Sequence, residues 1–151
     1  MTWRIVPMTA AHIPALAEIE KLSFAAPWSA QALSEELTNP PAVFLVAETA
    51  DGTPVGYAGM HVAVDEGYFA NVAVHPDYRK QGVGDALIAA FITYGEERRF
   101  YRLALEVRVS NTPAIRLYEK HGFVKDGVRP RFYTAPTEDA AMYAYYFGEG
   151  N

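Results

Sequence analysis

The residues best spaced for chemistry lie in the run from Asn71 to Ala86, NVAVHPDYRKQGVGDA. Arg79, Lys80 and Gln81 lead directly into Gly82, Val83 and Gly84, so cations and glycines share one turn. Ahead of them Val72-Ala73-Val74 is an apolar, strand-like piece, and Pro76 bars helix at the break His75-Pro76-Asp77. Behind them Leu87, Ile88, Phe91 and Ile92 fall at helical spacing. Strand, glycine turn and helix N-terminus, in that order, can hold phosphate. The first N–H groups of a helix lack internal partners and lie at the positive end of its dipole. Glycine at 82 and 84 lets the backbone approach a ligand without a Cβ in the way. Two nucleotide-binding versions fail: a P-loop needs Lys-Ser or Lys-Thr after the second glycine, where Asp85-Ala86 stands, and a dinucleotide fingerprint needs glycine where Leu87 stands. An ordinary strand-to-helix turn with solvated Arg79 and Lys80 would use the same residue types.

The pattern R-x-x-G-x-G from Arg79 to Gly84, set between that strand end and that helix, resembles the acetyl-CoA pyrophosphate loop of the GNAT superfamily of N-acetyltransferases. The resemblance implies that acetyl-CoA, as co-substrate, binds the main chain of Val72, Ala73 and Val74 and the loop Arg79, Lys80, Gln81, Gly82, Val83, Gly84 and Asp85. The likeness covers nearly the whole chain. It narrows toward the RimI-type ribosomal-protein alanine N-acetyltransferases at Pro27-Trp28-Ser29, Leu105-Glu106-Val107-Arg108, Ser110-Asn111, Leu117-Tyr118-Glu119, Gly122-Phe123 and Glu138-Asp139-Ala140. The stretch Arg129-Pro130-Arg131-Phe132-Tyr133 only approximates that subgroup's arginine-then-tyrosine run, and the residues after Ala140 are shifted by one. Both departures lie where this family flanks its acceptor, so they bear on substrate identity more than on the reaction.

Acetyl transfer from a thioester to an amine makes three demands. The amine must lose a proton, since free lysine titrates near about 10.4 and an α-amino group near about 8. The carbonyl oxygen needs donors as it becomes an oxyanion. The departing thiolate is helped by a proton donor. Glu106 lies on a strand whose Leu103, Leu105, Val107 and Val109 share one face, leaving Ala104, Glu106 and Arg108 on the other. Alternation alone favours a solvated Glu106 beside Arg108; a parallel arrangement beside the strand ending at Val74 would turn Glu106 to the thioester channel, and the RimI-type likeness implies that it is the proton acceptor. Tyr118 shares helical spacing with Ala114, Ile115 and His121, as a buried core tyrosine would. The likeness of Asn111 to Glu119 implies a donor to the CoA sulfur instead. Asn111 has the chemistry of a helix N-cap, with Pro113 in the first turn, and the same likeness gives it a CoA contact.

The elements that must position these groups read as a mixed α/β chain. Strands are expected at Trp3–Pro7, Val43–Glu48, Pro54–Val64, Tyr68–Val74, Arg102–Val109, Phe123–Asp126 and Met142–Phe147, with a hairpin turn at Asp51-Gly52. Helices are expected from Thr9 to about Phe24, from a Ser29 cap to about Leu37, over Val83–Glu97 and over Thr112–Lys120. Arg129–Asp139 reads as a connecting stretch. Strand-helix-strand about the glycine turn predicts a right-handed parallel crossover. The expected architecture is one GNAT-like domain over 1–151, with a central mixed, mostly antiparallel sheet of six to seven strands and helices on both faces.

At 151 residues, half of them apolar, the chain can bury a real core. No window reaches the apolar length of a membrane helix, and MTWRIVPM lacks a secretory layout, so the expected location is the cytoplasm. Absence of cysteine removes disulfides and a thiol nucleophile. The histidines at 12, 61, 75 and 121 show no ligand spacing, so no metal is expected. A formal charge of -5 argues against general nucleic-acid binding and favours basic partners. The reading is therefore a direct, acetyl-CoA-dependent transfer to an amine, most naturally the N-terminal amine of a ribosomal or other protein. A lysine side chain or a small amine is the rival acceptor, and a non-catalytic acetyl-CoA sensor the rival class. Oligomeric state is left open.

Overall fold

A computed structural model of the protein describes residues 2–148. One sheet of seven strands organises it: β1 (Arg4–Pro7), β2 (Ala42–Glu48), β3 (Pro54–Ala63), β4 (Glu66–Val74), β5 (Arg102–Arg108), β6 (Val124–Tyr133) and β7 (Glu138–Tyr146). Their order across the sheet is β1-β2-β3-β4-β5-β7-β6, antiparallel throughout except at β4–β5. Helices α1 (Ile13–Ser23) and α2 (Ala30–Glu36) cover one face; α3 (Val83–Glu97) and α4 (Thr112–Lys120) cover the other. The mixed, mostly antiparallel architecture read from the sequence is the one observed. Among the described residues no helix is long and apolar enough to cross a membrane.

Each face has its own core. On the α3 side, Val83, Leu87, Ile88 and Phe91 line one helical stripe and pack on Val55, Ala58, Leu103, Leu105 and Val107. On the α1 side, Ile13, Leu16 and Ile19 meet Phe44, Val46, Tyr57 and Ala73. Burying a large apolar side chain stabilises by about 1.5–3 kcal/mol, so these stripes fix where the helices lie.

The local signals mostly place the boundaries. Ser29 caps α2, its hydroxyl accepting from the Ala32 N–H at 3.0 Å. Asn111 caps α4 by accepting from the Ala114 N–H at 3.3 Å. Thr9 leads instead into a single 3₁₀ turn, Ala10–His12, and α1 proper starts at Ile13 with Pro14 in its first turn. The larger correction concerns β6. It runs to Tyr133 and not to Asp126, and β7 begins at Glu138, so most of the stretch expected to be a connection is an edge hairpin. Nearly every β6 residue is exposed on both faces, which erases the alternation a sequence reading depends on.

β4, α3 and β5 form the expected parallel crossover, but the strands touch only at one end. Glu66, Gly67 and Tyr68 pair with Arg102, Leu103 and Ala104. Beyond that, Phe69–Val74 and Leu105–Arg108 have no partner across the pair, and the two strands diverge. A bulge at Ala70, between the pairs Gly59–Asn71 and Met60–Phe69, bends β4 where the divergence starts.

Candidate active site

The opening between β4 and β5 is bounded by the glycine turn, by the far half of β5 and by α4. At the turn, Gly82 is the N-cap of α3 with φ 86°, a left-handed conformation that glycine adopts without strain. The first helical bond runs from the Ala86 N–H to the Gly82 carbonyl at 3.0 Å, so the N–H groups of Val83, Gly84 and Asp85 have no intrahelical acceptor. Gly84 has a packing reason of its own: a Cβ there would lie 2.9 Å from Leu117 Cδ2, pushing α4 away from α3. The turn is held from the edge of the sheet, where Trp3 Nε1–H donates to the Gln81 carbonyl at 3.0 Å.

The two cations of the turn divide. Lys80 is exposed at φ 62°. Arg79 folds back, donating from Nε to the Val74 carbonyl at 3.0 Å and from Nη2 to Ser23 Oγ at 3.1 Å. Its guanidinium braces the strand end against the last residue of α1, a role the sequence did not reveal. Asp85 lies in the first turn of α3 and accepts from His121 at 2.8 Å and Lys120 at 3.0 Å. Burial works to raise its carboxyl, but those two bonds outweigh it and hold the group below its ordinary range.

Glu106 and Tyr118 approach the opening from opposite faces of the sheet. Leu105 and Val107 belong to the α3-side core, so strand alternation turns Glu106 toward the α1 side. There its carboxylate accepts from Arg129 Nε at 3.2 Å. Tyr118 is buried on the α3 side against Phe123, their rings 5.7 Å apart. Burial raises its phenol well above the ordinary value, and Tyr133 adds to the shift. The sequence placed β5 beside the strand ending at Val74. The structure keeps them adjacent only at their base, and the divergence separates Glu106 from Val74 by a gap in the sheet.

Tyr133 and Arg129, which sequence reasoning named only within a stretch flanking the acceptor, both lie near Glu106. Burial raises the Tyr133 phenol, and the Glu106 carboxylate raises it further, while Arg108 opposes them. It thus lies within electrostatic reach of both Glu106 and Tyr118. The Arg108 guanidinium lies 4.5 Å from the Tyr133 ring centre and bonds to Glu138 at 3.2 Å, the Pro136 carbonyl at 2.9 Å and the Thr134 carbonyl at 3.1 Å. These contacts tie the β6–β7 corner to the end of β5. The available signal was the arginine-then-tyrosine run itself, but in a stretch read as a connection it had no face to belong to.

Residues 13–123 match the Acetyltransferase (GNAT) family. The [ribosomal protein bS18]-alanine N-acetyltransferase of Escherichia coli (strain K12) is 37% identical over 134 residues, covering 87% of this chain and 89% of that protein. The crystal structure of the ribosomal-protein-S18-alanine N-acetyltransferase from Escherichia coli superposes with TM-score 0.89 and 33% identity, over 99% of this chain and 97% of the other. Ard1 from Thermoplasma volcanium superposes with TM-score 0.89 and 27% identity, over 99% of this chain and 100% of the other. A match that runs from the first residue of α1 to the turn after α4 takes in the strand edge, the glycine turn, Glu106 and Tyr118 alike, and by it this chain belongs to the GNAT family of N-acetyltransferases.

Proposed function

We propose that this enzyme transfers the acetyl group of acetyl-CoA directly to the N-terminal α-amino group of a protein, with a ribosomal protein beginning in alanine as the preferred acceptor. The observation that carries the reading is the gap between β4 and β5, served by a carboxylate from one face and a phenol from the other. A thioester lying in that gap presents its carbonyl carbon to the α1 side and its sulfur to the α3 side. Attack and departure can then occur on opposite faces, and neither proton-handling group has to move.

The residues present suit the co-substrate. Val83, Gly84 and Asp85 offer first-turn N–H groups to a pyrophosphate, and Lys80 adds an exposed cation beside them. The bonds from Lys120 and His121 offset the charge of Asp85, which would otherwise repel the same anion. The main chain of Val72, Ala73 and Val74, unpaired on its β5 side, can hold the pantetheine amides as another strand would. Asn111 reaches CoA from the start of α4 while it caps that helix.

Glu106 accepts the proton of the amine, directly or through one water, after exchanging its bond from Arg129. The amine nitrogen then attacks the thioester carbon, and as the C–N bond forms and the C–S bond breaks, the surplus proton on nitrogen passes to solvent, which later reprotonates Tyr118. Tyr118 is protonated at neutral pH, as any phenol with the ordinary value of 10.0 would be, and burial pushes it further the same way. It donates a hydrogen bond to the sulfur as negative charge grows there, and the proton follows. No cysteine is present to carry the acetyl group covalently, which favours transfer within a ternary complex.

Two arguments favour the α-amine. It is already partly deprotonated near neutral pH, whereas lysine asks more of the same base by about 2.5 pK units, or about 3.4 kcal/mol. A net charge of -5 also steers a basic protein such as a ribosomal one toward this chain in the cytoplasm. The bS18-alanine activity named for the Escherichia coli relative lies in the same direction. Mass spectrometry of a peptide and small-amine panel incubated with acetyl-CoA tests this reading. Acetyl is expected on peptides with a free N-terminal alanine and absent when that amine is blocked. Undiminished acetylation of internal lysines in the blocked peptide would overturn it.

A further inference from the structure

Glu20 is a carboxylate in a place that disfavours one. It lies in the last turn of α1, near the negative end of the helix dipole, and it is fully buried. Burial raises its carboxyl above the ordinary range, although the bonds it receives from Tyr57 and Trp28 pull the other way. Replacing a buried ionisable group with an apolar one of similar size is often neutral or stabilising, so its presence calls for a reason other than packing.

Three donors from three separate elements converge on it. The Trp28 backbone N–H donates to Oε1 at 2.8 Å, the Tyr57 hydroxyl to Oε2 at 2.5 Å, and Asn71 Nδ2 to Oε2 at 3.1 Å. Asn71 also donates to the Tyr57 oxygen at 3.1 Å, closing the network. Trp28 lies in the loop joining α1 to α2, whose residues from Phe24 to Pro27 are exposed on the α1 side. Asn71 adjoins the bulged Ala70 on the β4 edge that faces the gap. One carboxylate therefore fixes the distance between the loop on the acceptor side and the strand edge on the thioester side.

We infer that Glu20 is a positioning residue for acetyl transfer: through Trp28 and Asn71 it holds the α1–α2 loop at the height where the acceptor's amine meets the thioester. The inference rests on the proposal that the acceptor peptide lies along that loop. All three groups bonded to Glu20 donate, so it must offer oxygen to each. A glutamine at 20 presents an amide nitrogen to one of them and breaks the set, while shape and volume are kept. Methionine removes all three bonds and leaves a well-packed apolar side chain.

The test is steady-state kinetics of wild type, Glu20→Gln and Glu20→Met with acetyl-CoA and an N-terminal alanine peptide, alongside acetyl-CoA titration calorimetry and thermal melting. The expected result is a peptide KM raised about tenfold in both variants. The acetyl-CoA dissociation constant should stay within twofold, and Glu20→Met should melt no lower than wild type. A merely structural carboxylate would shift both substrates together with the melting temperature. An unchanged peptide KM in either folded variant overturns the inference, and failure of both variants to fold overturns it too, by making Glu20 a stability element. If wild type itself leaves the peptide unmodified, the acceptor proposal has failed instead, and the inference, resting on it, falls with it.

Discussion

The two ends of the β4–β5 pair differ in almost every physical respect. At the base the strands are in register, and Arg102 rivets them together. Its Nε donates to Glu66 at 2.9 Å and its Nη2 to Tyr68 at 3.1 Å, with Asp126 of β6 3.6 Å away. The Tyr146 hydroxyl completes the clasp by donating to Asp126 at 2.6 Å. At the mouth the strands share no bonds, and the polar groups are Glu106, Tyr118 and Tyr133, drawn from three elements. A rigid base lets the mouth stay open without the sheet fraying. The difference teaches that the bonds holding this strand pair gather at one end and the groups proposed for chemistry at the other.

The comparison can be broken from the mouth or from the base. The largest effect is expected at the mouth. Glu106→Gln keeps the shape and removes the proposed base, so turnover at neutral pH should fall about 10²–10⁴-fold while acetyl-CoA affinity holds. The residual rate should rise with pH as free amine accumulates, a profile followed by thiol release. Tyr118→Phe comes next: turnover should fall about 10²-fold with little change in melting temperature, since one oxygen is lost and little volume. A fully active Tyr118→Phe enzyme with an altered melt would make this tyrosine a core residue alone.

At the base the pattern should invert. Arg102→Gln removes the rivet, and a loss of about 1–2 kcal/mol is expected, seen as a lower urea midpoint with turnover within twofold of wild type. Turnover that fell as far as in the mouth variants would mean that the base tunes the chemistry as well. The smallest effect belongs to Asp85, which is partly exposed and therefore worth less than about 1 kcal/mol after screening. Its carboxyl is depressed in the folded state, so its contribution is present above the ordinary value of 3.8 and fades as pH falls through the lower, folded value. The urea-midpoint difference between wild type and Asp85→Asn should accordingly shrink as pH falls below about 4.

How much of this could be read beforehand depended on whether a signal was local. The helix Val83–Glu97 is observed with the bounds expected of it, because a glycine turn and an apolar stripe are both written in consecutive residues. Asn111 and Ser29 cap where they were expected to, for the same reason. The order β5-β7-β6 is not local: nothing in Glu138–Tyr146 says that it pairs with Arg102–Arg108 as well as with Val124–Tyr133. Glu106 and Tyr118 could be marked only through the likeness to a family, since strand alternation alone favours a solvated glutamate and helical spacing suits a core tyrosine. The bonds from Arg79 to Ser23 and from Trp3 to Gln81 join residues far apart in the chain, and no spacing announces them.

The position of β7 has a consequence for synthesis. It follows the other six described strands in the chain, yet it lies between β5 and β6, and β6 reaches β5 only through it. A nascent chain that has emerged as far as Tyr133 already carries Glu106, Tyr118 and Tyr133, but nothing yet holds β6 beside β5. Until Glu138–Tyr146 follows, β5 and β6 each present an unpaired edge, the kind of surface on which chains stick to one another. A chain cut short within β7 should therefore keep both edges unpaired and be lost to aggregation.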